Sequence, residues 1–203
     1  MPPAHPAPPE LLLASASPRR RALLERAGLA FGVQPADLDE TPLAGEAPVD
    51  CLVRLAREKA RAVAAGLDPA APRLVLGADT GVLLGEALFG KPRDAAHAVE
   101  LLSRLLGQTH RVVTAVAVVE SRSGRVHEVH IESRVRMREA SREEVEAYVA
   151  GGEPLDKAGA YAVQGEGRKF VDAVIGSESN VIGLPLEETL ALLERARRER
   201  DRS

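Results

Sequence analysis

Short, wholly apolar runs alternate along the chain with longer stretches whose apolar residues recur at helical spacing, the pattern of an α/β protein. Leu11-Leu12-Leu13-Ala14 and Leu74-Val75-Leu76-Gly77-Ala78 are apolar throughout, which predicts buried strands, the second ending at Asp79-Thr80. Ser17 as N-cap and Pro18 at the first helical position predict a helix start, with Leu23, Leu24 and Ala27 turned inward and Gly28 as the stop. A longer helix is expected over 49–66, where Val49, Leu52, Val53, Ala56, Ala60, Val63 and Ala64 gather on one face. Arg54, Arg57, Glu58 and Arg61 fall on its other side. Another helix is expected over 94–106, and 111–120 and 126–138 read as an antiparallel pair around Ser123-Gly124. In the second strand of that pair Val129, Ile131, Val135 and Met137 alternate with charged residues or histidine, so one face is wet. A helix over 142–150 stops at Gly151-Gly152, and the aperiodic, glycine-rich stretch 153–167 reads as a long functional loop. A strand near 170–175 and a helix from about 186 follow, with charged residues from 195 onward expected to fray.

The proline-rich residues 1–9 lack an apolar core and read as a disordered tail, leaving one domain over 10–195 and a charged tail over 196–203. No apolar run approaches the roughly 18 residues of a spanning helix, so no membrane partner is expected. A single cysteine, Cys51, excludes an internal disulfide framework and a cysteine cage for metal, and fits a reducing, cytoplasmic setting. Two tyrosines, three phenylalanines, no tryptophan and a net charge of −3 argue against nucleic acid as a partner, since single strands need stacking platforms in a positive groove. Of 27 basic residues only Lys59, Lys91, Lys157 and Lys169 are lysine, which draws attention to what those four do.

Ser15-Ala16-Ser17-Pro18-Arg19-Arg20-Arg21 carries the clearest chemistry. Three arginines in the first helical turn oppose the helix dipole, yet a strand-to-helix turn with free N–H groups and clustered guanidinium suits a polyanion. No GxxxxGK[ST] loop occurs. Asp79, expected at a strand terminus, is a candidate base or metal ligand, and Asp39-Glu40 adds carboxylates suited to a hard cation such as Mg²⁺. Lys59 falls about 20° from the Leu52 direction, at the rim of the apolar stripe, where a lysine either snorkels or reaches into a crevice. His127 and His130 lie three apart on a strand, face opposite sides and make no metal pair.

Taken in order, Ser15-Ala16-Ser17-Pro18-Arg19-Arg20, Arg54-Leu55-Ala56-Arg57-Glu58-Lys59-Ala60, Gly77-Ala78-Asp79-Thr80, Gly90-Lys91-Pro92, Glu153 through Tyr161 with Gln164-Gly165, and Gly183-Leu184-Pro185-Leu186 resemble the motifs of the Maf family. The resemblance implies an elongated mixed sheet flanked by helices, similar to that of inosine triphosphatases. It also implies a nucleoside triphosphate pyrophosphatase that splits the α–β phosphoanhydride with a divalent cation, Mg or Mn. By position, Asp79 matches the catalytic acid-base residue. Arg19, Thr80 and Gln164 match the positions of base preference and point to dTTP and UTP, while Ser15, Arg20, Lys59 and Lys91 match the polar set around the phosphates. Glu40 and Asp79 are the metal candidates, a nucleoside triphosphate is the expected partner, and a homodimer is one expected assembly. The resemblance also admits a regulator of septum formation. A 7-methylguanosine triphosphate pyrophosphatase is less well matched, since such relatives carry an aromatic residue, Gln and Glu in place of Arg19, Thr80 and Gln164. Two departures stand out: Gly81 where relatives carry a β-branched residue, expected to loosen the strand, and Glu178 where an aromatic is common.

Overall fold

The computed structural model describes residues 9–202, so residues 1–8 of the tail expected over 1–9 and the terminal Ser203 lie outside the described residues. The chain runs β1 (Leu11–Leu13), α1 (Pro18–Arg26), β2 (Phe31–Val33), α2 (Pro48–Ala65), β3 (Leu74–Leu84), β4 (Ala87–Phe89), α3 (Ala95–Leu105) and β5 (Thr109–Glu120). It continues through β6 (Val126–Met137), α4 (Arg142–Ala150), β7 (Val171–Ile175), α5 (Glu178–Ile182) and α6 (Leu186–Arg200). All seven strands form one mixed sheet in the order β2-β1-β3-β5-β6-β7, with β4 attached to β3. β1 is parallel to β2 and β3, and every other pairing is antiparallel.

Period-2 side chains on the long strands decide what covers each face. α2 packs over one face, where Leu52, Ala56 and Ala60 meet Val75, Val113, Ala115 and Ala117. The opposite face carries two separate groups along the same strands. Near β1, Leu23 and Leu24 of α1 and Leu192 and Leu193 of α6 pack on Leu11, Leu74, Leu76 and Val116. Farther along, Leu101, Leu102 and Leu105 of α3 and Val145 and Tyr148 of α4 pack on Val82, Val112 and Val135. Full burial of each such side chain contributes about 1.5–3 kcal/mol, enough to fix both lobes to the sheet. Polar Thr80 and Thr114 sit between the two groups.

Three expectations change. β3 does not end at Asp79-Thr80 but runs to Leu84, because its partner β5 stays in register from Glu120 opposite Leu74 to Arg111 opposite Leu83. Ladder bonds along a neighbour override the local break in apolar character. α6 continues to Arg200, well past the expected onset of fraying at 195, with Ala196 buried and Arg200 paired to Glu10. The aperiodic 153–167 stretch folds into tight turns, including 3₁₀ turns at Glu153–Asp156 and Ala158–Ala160. The Glu153 carboxylate organises it, accepting from the Tyr148 hydroxyl at 2.8 Å and from the Glu166 and Gly167 N–H groups at 3.0 Å each. The short β2, β4 and α5 carry too few residues to show a period in the sequence.

Candidate active site

β3 loses its neighbour on one side in mid-strand. β1 accompanies it only to Leu76, whose carbonyl accepts from the Ala14 N–H at 2.8 Å, and β4 begins opposite Val82. Over 77–81 one edge of β3 is paired with β5 and the other faces a cleft of about 780 Å³. Because successive side chains point to opposite faces, Asp79 projects toward α2 and Thr80 toward α1 and α5. A cleft opening at a strand edge reaches both. The expectation of a carboxylate at a strand's carboxyl end thus becomes a carboxylate where the parallel part of the sheet ends.

On the α2 side, the Lys59 ammonium lies 2.6 Å from Asp79 Oδ1 and 2.7 Å from Glu40 Oε1. Lys59 is 9% exposed, so it reaches into the crevice and does not snorkel. Close approach of α2 to the sheet makes this reach short, and Gly77 permits the approach. A Cβ there would stand 2.2 Å from the Ala56 carbonyl oxygen and 2.8 Å from the Ala60 nitrogen. Burial works against ionisation of Glu40, but the hydrogen bond and charge of Lys59, with Lys91 and Arg20 beyond, hold its pKa below the ordinary value. Asp79 and Glu40 thus share one cationic position. No group of three or more His, Cys, Asp or Glu side chains able to hold a metal occurs among the described residues. Two hard carboxylates converging on one point still fit a cation such as Mg²⁺, which takes its other ligands from water and phosphate.

On the other side, Ser17 caps α1 and turns Arg20 into the cleft. Arg20 Nε donates to the Gly183 carbonyl at 2.9 Å, Nη1 to Ser15 Oγ at 3.1 Å and Nη2 to Thr80 Oγ1 at 3.1 Å. Thr80 and Thr114 hydroxyls meet at 3.0 Å, and Thr114 donates to the Asn180 carbonyl at 3.0 Å. Desolvation lowers the Arg20 pKa against the pull of Asp79. At the rim Arg19 Nη1 pairs with Asp156 Oδ2 at 3.4 Å, while Lys91 and Gln164 are exposed on walls of the same cleft. Gly159 N–H donates to the Gly90 carbonyl at 3.1 Å, tying the Gln164 wall to the turn that carries Lys91. The residues matched to the family's site, Ser15, Arg19, Arg20, Glu40, Lys59, Asp79, Thr80, Lys91 and Gln164, all line this one cleft, whereas Asp39, the other carboxylate candidate, does not.

The family model for Maf-like proteins matches residues 10–196. The chain belongs to the Maf family. A relative from Anaeromyxobacter dehalogenans named dTTP/UTP pyrophosphatase is 52% identical over 190 residues, covering 93% of this chain and 94% of the relative. Relatives of the same name from Myxococcus xanthus and Moorella thermoacetica are 55% and 49% identical. They cover 92% and 90% of this chain, and 92% and 94% of their own lengths.

Within this Maf cleft the structure adds and corrects. Arg54, expected to point outward, folds back over the loop between β2 and α2. Its Nε and Nη2 reach the two Glu46 oxygens at 2.6 and 2.8 Å, and Nη2 also donates to the Thr41 carbonyl at 3.3 Å. That clamp holds the loop carrying Glu40, and the Arg54 bond draws the Glu46 pKa down to about 2. A wheel projection misses it because the loop, not solvent, covers that side of the helix. Lys157, whose ammonium donates to the Glu153 carbonyl at 2.6 Å and pairs with Asp156, also lines the cleft. Its place in the Glu153–Tyr161 motif and in a scarce residue class were the available signals. Gly81 does not loosen the strand, since Leu52 and Leu88 occupy the space a side chain would fill, 3.1 and 2.6 Å from its Cβ position. Glu178 is exposed at the start of α5 and does not line the cleft. His127 is buried and His130 exposed, as strand alternation requires.

Proposed function

We propose that this Maf protein is a cytoplasmic nucleoside triphosphate pyrophosphatase that hydrolyses dTTP and UTP to the monophosphate and pyrophosphate. The observation that carries the reading is the meeting of Asp79 with Lys59, Glu40 and Arg20 at an open strand edge, in a cleft whose rim bears Arg19 and Lys91. Phosphoanhydride hydrolysis asks for neutralisation of the triphosphate and for a positioned water, with no covalent apparatus. Arg20, Lys59 and Lys91 bind the phosphate oxygens, and Ser15 holds the Arg20 guanidinium in place. Asp79 orients the attacking water and takes its proton as the α–β bridge breaks and pyrophosphate leaves. Lys59 holds the Asp79 carboxylate aimed into the cleft. Asp79 and Glu40 would hold a divalent cation, which supplies charge neutralisation on the phosphate oxygens when bound.

The relatives' shared name supports the choice of pyrimidine. A glutamine amide both donates and accepts, so Gln164 suits a ring carbonyl of uracil or thymine. Thr80 is short enough to leave room beside a single ring, and Arg19 completes the set.

The test is pyrophosphate release from dTTP, UTP, CTP, ATP, GTP, ITP and 7-methyl-GTP, with products identified by phosphorus NMR. The expected outcome is highest kcat/KM on dTTP and UTP with monophosphate and pyrophosphate as products. Release of inorganic phosphate, or preference for ITP or 7-methyl-GTP, would overturn the reading.

A further inference from the structure

Backbone groups of a strand alternate between its two edges, so their partners on β3 can be followed residue by residue. On the edge facing β1 and β4, Leu74 N–H donates to the Glu10 carbonyl at 3.0 Å and the Leu76 carbonyl accepts from Ala14 N–H at 2.8 Å. β4 takes up the same edge at Val82, opposite Phe89, and keeps it to Leu84, opposite Ala87. Between them stand Ala78 and Thr80, beyond the end of β1 and before the start of β4. Among the described residues no turn or loop backbone group bonds to their N–H or C=O. Ala78 is fully buried, while Thr80 lines the cleft. Partly enclosed peptide groups require partners, and at Thr80 the space beside them is the cleft itself.

We propose that the peptide edge of Thr80 pairs with the imide edge of the pyrimidine base, its carbonyl accepting from N3–H and its N–H donating to the C4 carbonyl. This deepens the pyrophosphatase reading and rests on it. The ligand class follows from the alternation of a donor and an acceptor. A phosphate offers only acceptor oxygens and would be repelled by the Thr80 carbonyl, whereas an imide presents donor and acceptor side by side. The base then takes the place of the missing strand between β1 and β4, as an added strand pairs with a free sheet edge.

The same edge explains why cytosine would be refused. Cytosine exchanges the two roles, with an acceptor at N3 and a donor at the neighbouring amino group. A side-chain amide such as that of Gln164 can turn over to serve either base. The Thr80 peptide cannot, because Asp79 and Gly81 on either side are held opposite Ala115 and Val113 of β5. The Thr80 side chain is fixed as well, between Arg20 and Thr114. Discrimination between uracil and cytosine therefore belongs to the backbone, and Gln164 adds affinity without setting the choice.

The experiment compares kcat/KM for UTP, CTP and N3-methyl-UTP in the parent and in Gln164→Leu. It also follows hydrogen exchange of the Thr80 amide with and without α,β-imido-UTP. The parent is expected to prefer UTP over CTP by about tenfold or more, as unpaired buried polar groups enforce, and Gln164→Leu to keep that ratio within about threefold. N3-methyl-UTP should lose about tenfold or more in both proteins, and the Thr80 amide should gain protection. A ratio near one in Gln164→Leu, N3-methyl-UTP cleaved as fast as UTP, or an unprotected Thr80 amide would overturn the proposal. A parent that cleaves neither dTTP nor UTP would instead overturn the pyrophosphatase reading.

Discussion

Replacing Lys59 with methionine keeps the aliphatic stem in its slot on α2 and removes the charge that Asp79 and Glu40 share. Asp79 is 15% exposed and Lys59 9%, so the loss leaves a largely enclosed carboxylate without its partner. Breaking a buried pair in this way costs about 3–5 kcal/mol. Glu40 is 56% exposed, so water takes over most of its share and that contact adds little. The cleft end of Asp79 is also open to water, which reduces the total to about 2–3 kcal/mol. For a chain of this size that corresponds to a fall in Tm of about 4–12 °C. The pH dependence has a definite sign. The lowered Glu40 pKa contributes stability present above the unfolded value near 4.5 and lost as pH falls through the folded value. Without Lys59 that contribution shrinks, so the small part of the difference that Glu40 supplies should be present near neutrality and fade as pH falls below about 4.5. Added Mg²⁺ should raise the Tm of Lys59→Met more than that of the parent, since a cation replaces the missing charge. Thermal unfolding followed by circular dichroism across pH, with and without Mg²⁺, reads all three effects. A variant melting within about 1 °C of the parent at pH 7 and indifferent to Mg²⁺ would refute the reasoning, because so small a shift is under about 0.5 kcal/mol.

Asp79→Asn preserves size and should lower kcat by about 10²-fold or more while circular dichroism stays native; near-normal turnover would remove Asp79 from the mechanism. Arg20→Ala and Lys91→Ala should each cost about 1.5–3 kcal/mol of transition-state binding, read as kcat/KM. Only Arg20→Ala should also lower Tm, because Arg20 bonds Gly183, Ser15 and Thr80 within the protein whereas Lys91 is exposed. Gly77→Ala drives a Cβ against the α2 backbone and should destabilise by about 1–3 kcal/mol or more, measured by denaturant midpoint. The same change should cut activity by lifting Lys59 from Asp79, so a fully active Gly77→Ala would show that α2 can shift without disturbing the pair.

Periodicity alone was enough for the long elements. α2 was legible because its apolar stripe meets the sheet at 3.6-residue spacing, and β6 because its polar residues alternate toward solvent. Cap chemistry fixed the start of α1 at Ser17-Pro18, whereas the Asp94 cap of α3, whose carboxylate accepts from His97 N–H, came only from the structure. The order of motifs was sufficient for the family and for the set of side chains that line one cleft. These are local or pattern properties, written where a residue's neighbours along the chain determine its surroundings. What surrounds Asp79 is of another kind. Lys59 stands 20 positions away from it in sequence and Glu40 farther still, and no spacing rule brings them to one point. Their meeting needs α2 laid over β3 at a distance that Gly77 sets, and a loop held down by Arg54 and Glu46. Nor does the stretch from Gly77 to Gly81 announce that its strand continues, since the hydrogen bonds that extend it come from β5, more than 30 residues later. The open edge at Thr80 follows from two neighbours, β1 ending early and β4 starting late. The side chains were written in the chain, but an unpaired strand edge is an absence of partners, and only the packing of distant segments decides where partners are absent.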